Sequence, residues 1–314
     1  MAYEQLVEAH HKLTYSDNVQ MVAQQLMNPL RSAVTVVPCD GEAKNMADLI
    51  DEVDYQEGDD YERRNPDNPP ERSRRWLIRP TVVQSGQLIT KEEKFDQAMD
   101  PTSKLLSAHV KACERGVFDR ILGVRKKKGQ EATLADGGIF GRVAEGKTPG
   151  TTKALPAANY VAANYGGGSA VGLTLAKMRK ATEAMELENF GLETDDEIYG
   201  IITPKQKTDL INLAVATGSN LNPFEVENIK KGKPGELLGI NWLFTNRLPV
   251  DSSGHRLIPL WSKANIICGM WQDVEGIIFN DSSAKNLPRA LVDCYPTCGR
   301  VEDGGVRVIR CAEA

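Results

Sequence analysis

Between Glu42 and Arg79 the charge of this chain reverses sign, and no other feature limits so strongly what it can fold into. Residues Glu42 to Glu62 carry nine acids (Glu42, Asp48, Asp51, Glu52, Asp54, Glu57, Asp59, Asp60, Glu62) against one base, Lys44, a local balance of −8. Residues Arg63 to Arg79 carry six arginines (Arg63, Arg64, Arg72, Arg74, Arg75, Arg79) against Asp67 and Glu71, a balance of +4. Unpaired charge is costly to bury, so neither run belongs wholesale in a core. Between them, Asn65-Pro66-Asp67-Asn68-Pro69-Pro70 breaks regular structure. The pattern predicts a long protruding hairpin or loop with an acidic outgoing limb and a basic returning one. Trp76, Ile78 and Val82 alternate with Arg75, Leu77 and Arg79, the period of a strand with two unlike faces.

A charge run is usually a solvated face. Two limbs of opposite sign around one turn, with Trp76 and Leu77 beside the arginines, read instead as a surface that meets a partner and sets its register. The candidate contact residues are Asp54, Glu57, Asp59, Asp60, Arg63, Arg64, Arg72, Arg74, Arg75 and Trp76.

The clearest regular element begins where Asp100 offers an N-cap and Pro101 the first helical position. Leu106, Val110, Cys113, Val117 and Ile121 then recur on one stripe, and Gly123 is the expected stop. A helix over 101–122 is about 30 Å long, enough to act as the spine of a domain. From Arg125 to Gly168, glycine and lysine without periodicity predict short strands and loops. A second α/β region follows, with a helix capped by Thr174 that turns Leu175, Met178 and Met185 inward. A buried strand is expected over 197–202. Thr203-Pro204-Lys205-Gln206 is a capping box opening a helix through Leu210, Leu213 and Ala214. Further strands are expected at 240–245, 257–260, 264–270, 276–279, 290–295 and 306–311, the last two separated by the turn Glu302-Asp303-Gly304-Gly305. The first forty residues mix short amphipathic pieces with an apolar stretch and read as an arm.

One segment matches a phosphate-binding loop: Gly141 to Thr148 fits G-x-x-x-x-G-K-[ST]. That loop works only between a strand and a helix whose N-terminal amides hold the phosphates. Here Pro149-Gly150 follows at once and denies the helix, so a nucleotide hydrolase is a minor alternative. The six cysteines (Cys39, Cys113, Cys268, Cys294, Cys298, Cys311) lack metal-ligand spacing and read as small buried hydrophobes. None of the four histidines (His10, His11, His109, His255) has a Ser, Cys or acid at a spacing that signals a triad. His109, on the long helix, reads as a surface or packing residue. No catalytic residue, cofactor or metal is expected.

Net charge is −5, which argues against a chain devoted to gripping phosphate backbones. No apolar run approaches the roughly 20 residues of a membrane span. The start, MAYEQLVEAHHKL, has no signal-peptide pattern, so a soluble chain kept in the cytoplasm is expected.

The order of pieces resembles the tailed-phage major capsid proteins of the Hong Kong 97-type fold. The resemblance rests on Arg74-Arg75-Trp76-Leu77-Ile78 returning from the loop, and on Lys91 to Asp96 with Asp100-Pro101 leading into the spine helix. Tyr199 to Pro204, Gly239 to Pro249 and Tyr295 to Arg310 extend it along the chain. It implies an α+β fold with an N-terminal arm (1–41) and an extended loop (42–85). A peripheral domain (86–155) holds the spine helix, an axial domain (156–284) follows, and 285–314 returns to the periphery. It implies a non-enzymatic coat protein that assembles as pentamers and hexamers into an icosahedral head. The head encloses double-stranded DNA without sequence-specific binding and touches no membrane. A portal and decoration proteins are implied partners. The arm begins almost at Met1, so a separate scaffolding protein is expected. Assembly is expected in the host bacterial cytoplasm, and the final location is the virion. An encapsulin-like nanocompartment shell is the main alternative, against which the charged loop weighs.

Overall fold

The computed structural model describes residues 28–50, 52–53, 55, 69–89, 102–191, 194, 196–216 and 236–313. Its strands are β1 (Thr35–Pro38), β2 (Ala43–Ile50), β3 (Arg72–Ile78), β4 (Val83–Leu88), β5 (Val124–Arg125), β6 (Thr133–Leu134), β7 (Val143–Glu145), β8 (Thr151–Lys153) and β9 (Tyr160–Val161). They continue with β10 (Ile198–Ile202), β11 (Glu236–Leu237), β12 (Ile240–Phe244), β13 (Arg256–Ser262), β14 (Ile266–Asp281), β15 (Leu287–Arg300) and β16 (Val306–Cys311). The helices are α1 (Thr102–Leu122), α2 (Leu175–Glu186) and α3 (Pro204–Ala216). The chain divides into two units: residues 1–28, 82–116 and 272–295, and residues 29–81, 117–271 and 296–314.

The larger unit is built on a six-stranded mixed sheet in the order β11-β12-β10-β13-β16-β9. Its strands are short apolar runs, as sheets covered on both faces require. Ile201, Ile202, Ile258, Leu260, Trp261, Val308 and Ile309 have no exposed surface. Each such side chain contributes about 1.5–3 kcal/mol by leaving water. The Trp261 indole N–H donates to the Ala33 carbonyl at 2.8 Å, so the stretch around Leu30, Ala33 and Val34 is fixed in this core. β1 continues it by pairing in parallel with the start of β14, Thr35 opposite Ile267.

Local chemistry sets the helix ends. The Thr174 hydroxyl caps α2 by accepting from the Lys177 amide, and Met178, Ala181 and Met185 are buried on one face. At α3 the Thr203 amide donates to the Gln206 side chain at 3.2 Å, one limb of the expected box. Gln206 also donates to the Glu313 carboxylate at 2.9 Å, which ties the helix start to the C-terminal residues. Gly123 ends α1 with a positive φ of 76° and donates to the Asp119 carbonyl at 3.0 Å, a left-handed stop that suits glycine. Asp100 and Pro101 lie outside the described residues, as do the side chains of Leu213 and Ala214.

In the smaller unit, β4 pairs antiparallel with β15, Val83 opposite Cys294 through Leu88 opposite Arg289. A Cβ at Gly116 would strike the Val83 side chain, so glycine lets α1 approach β4 closely. His109 faces the same strand, its Nδ1 2.8 Å from the Ser85 hydroxyl.

The strands expected at 264–270 and 276–279 are one continuous strand, β14, and the expected 290–295 strand grows to β15. The polar stretch between the two apolar runs looked like a break. It stays extended alongside β15, where Gln272 bonds the Asp293 carboxylate at 3.1 Å, so this polar residue is a cross-strand partner and not part of a turn.

Candidate inter-subunit hairpin

The two charged limbs meet as a hairpin. β2 pairs antiparallel with β3 from Ala43 opposite Ile78 to Ile50 opposite Arg72, with a bulge between Asn45 and Ala47. The extra residue at the bulge, Met46, lies over Gly299. Limb charges partly answer each other: Arg74 forks onto the Asp48 carboxylate, with both side chains about half exposed. The Arg74 guanidinium also lies 5.4 Å from the Trp76 ring centroid.

The two faces of β3 have opposite fates. Leu77 and Arg75 are buried, whereas Trp76 is half-buried and Ile78 and Arg72 are exposed. Trp76 donates its indole N–H to the Gly146 carbonyl at 2.8 Å, and β3 pairs there with β7. Arg75 is only 2% exposed and turns into its own unit, where it bonds both oxygens of Asp303 at 3.4 and 3.1 Å. Asp303 also accepts from the fully buried Arg300 at 2.7 Å, and Lys153 stands 3.4 Å away. Arg300 donates to the carbonyls of Gly141, just before β7, and, at 3.2 Å, Lys153, the last residue of β8. Burial alone would raise the Asp303 pKa, but hydrogen bonds and charge from Arg75 and Arg300 outweigh it and hold the carboxyl below the usual aspartate range.

Asp303 is therefore a hub: one carboxylate in a β-turn fastens the hairpin base (Arg75), the β7–β8 hairpin (Lys153) and β15 (Arg300). From the sequence, Asp before Gly-Gly signals only a turn. The feature that could have pointed further is the arginine at 300, an isolated base at the end of an apolar strand.

At the far end of the hairpin the picture inverts. Ile50 is 63% exposed, Val53 50% and Tyr55 85%, large apolar side chains left in solvent where the charged segment continues. Of the candidate contact residues, Arg72 and Arg74 lie toward this open end and Trp76 sits partly covered nearer the base. Arg75 alone is committed inward. Asp54, Glu57, Asp59, Asp60, Arg63 and Arg64 lie outside the described residues.

The phosphate-loop pattern has a different structure from the one it needs. Its middle residues are strand β7, and β8 follows antiparallel, Val143 opposite Lys153 and Glu145 opposite Thr151. The Gly146 amide, which would face a phosphate, donates to the Arg74 carbonyl at 3.0 Å. Gly141 is closed in by backbone oxygens of 135 and 137. A β-hairpin has no helix N-terminus to offer, so the nucleotide hydrolase alternative falls.

All six cysteines are buried and free. Among the described residues no three His, Cys, Asp or Glu side chains gather as a metal site, and no helix is long and apolar enough to cross a membrane.

A family model described as phage capsid protein matches residues 7–313. The capsid of cyanophage P-SCSP1u is similar with a TM-score of 0.65 and 12% identity, over 97% of this chain and 94% of that one. The capsid of the native GTA particle gives 0.66 at 12% identity, over 96% and 95%. The structure from Mycobacterium phage Adephagia gives 0.64 at 12% identity, over 99% and 98%. No curated protein sequence matches the chain.

Proposed function

The chain belongs to the phage capsid protein family and has the Hong Kong 97-type capsid fold, and from that premise we propose how one copy meets the next. It is a major capsid protein, a structural subunit of the phage head shell and not an enzyme. The β2–β3 hairpin and the segment between its strands lie over a neighbouring copy and set the register of assembly. The observation that carries this reading is the contrast along the hairpin. Its base is locked into its own unit through Arg75 and Asp303, while Ile50, Val53 and Tyr55 at the other end are left to water.

In this reading the arm is 1–41 and the extended loop 42–85. The peripheral parts are 86–155 and 285–314, with the axial part at 156–284. Copies form pentamers and hexamers in the host bacterial cytoplasm around a separate scaffolding protein, with a portal at one vertex and decoration proteins as further partners. Double-stranded DNA is enclosed without sequence-specific contacts, in keeping with a net charge of −5.

The test reverses Arg72 and Arg74 to Glu together, leaving Arg75 in place because it belongs to the internal hub. Expressed with its scaffold, the wild-type chain forms shells visible by electron microscopy. The double variant keeps its circular dichroism and melting profile but gives few or misshapen shells. Normal shells from the double variant at low salt would sink the hairpin reading and leave the arginines a solvated face.

A further inference from the structure

The hairpin and the hub leave one reactive pair unused. Cys113, on the apolar stripe of α1, and Cys294, on β15, both belong to the smaller unit and are 1% and 0% exposed. Their sulfurs converge on one backbone oxygen: Cys113 Sγ lies 4.0 Å and Cys294 Sγ 3.7 Å from the Val83 carbonyl. Cys113 Sγ also lies 3.4 Å from the Val292 carbonyl, two residues before Cys294 on the same strand. Cys294 stands directly opposite Val83 in the β4–β15 pairing, so strand register brings its thiol to the carbonyl that Cys113 also reaches.

We propose that Cys113 and Cys294 are a crosslinking site, closing to an intrachain disulfide that fastens α1 to β15 when the particle leaves the reducing cytoplasm for an oxidising medium. Two S–H bonds break and one S–S bond forms. Two protons and two electrons pass to dioxygen, which leaves as hydrogen peroxide. Burial makes the step slow and confines it to small oxidants or to moments of local opening. The reward is a covalent tie across a long stretch of chain, which restricts the unfolded state.

The remaining thiols are placed differently. Cys268 faces the Met270 sulfur at 4.0 Å, and Cys39 faces the Val37 carbonyl at 3.7 Å. Burial pushes the Cys311 thiol up to about 12 and Cys298 well above its usual value, which starves both of thiolate. At Cys113 the hydrogen bond from Cys294 is the largest influence and lowers the pKa, outweighing burial and the nearby Asp293 and Glu114 carboxylates. The attacking thiolate is thus most available at Cys113, whose sulfur shares the Val83 carbonyl with Cys294.

The experiment compares chain kept under reductant with chain aged in air, in assembled particles and as unassembled subunit. Each is unfolded in guanidinium with iodoacetamide, free thiols are counted by mass, and non-reduced peptides are mapped. Reduced chain should alkylate at all six cysteines and aged chain at two fewer, with the 113 and 294 peptides joined. Aged wild type should melt several degrees higher than reduced wild type, a difference absent in C113S and in C294S and kept in C268S. Should one serine variant fail to fold, the other and the wild-type map still decide. Six free thiols after copper–phenanthroline oxidation, or a link joining any other cysteines, would overturn the proposal. Because the pair lies within one copy, the subunit arm separates this outcome from failure of the assembly reading.

Discussion

Asp303 accepts from two buried guanidinium groups, and its side chain keeps only 12% of its surface in water. Taking away its charge removes the nearest carboxylate from Arg75 and Arg300, which are 3% and 0% exposed as side chains. Loss of one partner from a buried ion network costs about 3–5 kcal/mol. We expect D303N to destabilise the subunit by about that amount in urea unfolding, with the hairpin base exchanging its amides first. The pH dependence has a defined sign. The folded-state pKa of Asp303 lies below its ordinary value of 3.8, so its contribution is present above that value and is lost as pH falls through the lower folded one. Wild type should therefore lose stability as the pH drops below about 3.8 more steeply than D303N does. Equal slopes for the two proteins would show that Asp303 is not the group that titrates.

At the scale of elements, the hairpin β7–β8 shows how a motif can match by letter and fail by structure. Lys147 sits exposed in its turn. A surface substitution of this kind changes stability by no more than about 0.5 kcal/mol. K147A should therefore assemble as wild type does, and isothermal titration of either protein with ATP or GTP should give no saturable heat. Micromolar binding lost in the variant would restore a nucleotide site. The β2–β3 hairpin makes the complementary point. Its limbs are charged as a whole, but the pleat sends alternate residues to opposite faces, so Arg74 pairs with Asp48 at the surface while Arg75 is drawn into the core.

For the whole molecule, function lies in repetition. An exposed ion pair is screened by salt and contributes little alone, yet a contact of the kind proposed for the hairpin would recur at every subunit boundary of a shell. Assembly should weaken as salt rises, because screening at 0.15 M already acts beyond about 8 Å. Light scattering of subunit with scaffold across a salt series checks this. Faster or unchanged assembly in high salt would assign the contacts to apolar surface such as Ile50 and Tyr55 instead.

The sequence by itself determined the elements whose signals are local. The α1 stripe and its glycine stop, the Thr174 cap, the Thr203–Gln206 box and most short apolar strands are written within a few residues of where they act, since capping and periodicity are short-range effects. The antiparallel pairing of the two limbs was equally legible, because their charges are of opposite sign and Arg72 to Val82 alternates at the period of a strand. Tertiary structure alone decided the rest. That 264–270 and 276–279 are one strand depends on β15 running beside it, with Asp293 within reach of Gln272. That Asp303 is a hub and Arg75 a buried residue depends on 75, 153, 300 and 303 meeting in space. That Cys113 and Cys294 share a carbonyl depends on α1 lying against β15. Each of these joins residues far apart in the chain, and no local propensity encodes which distant partner a charge or a thiol will find.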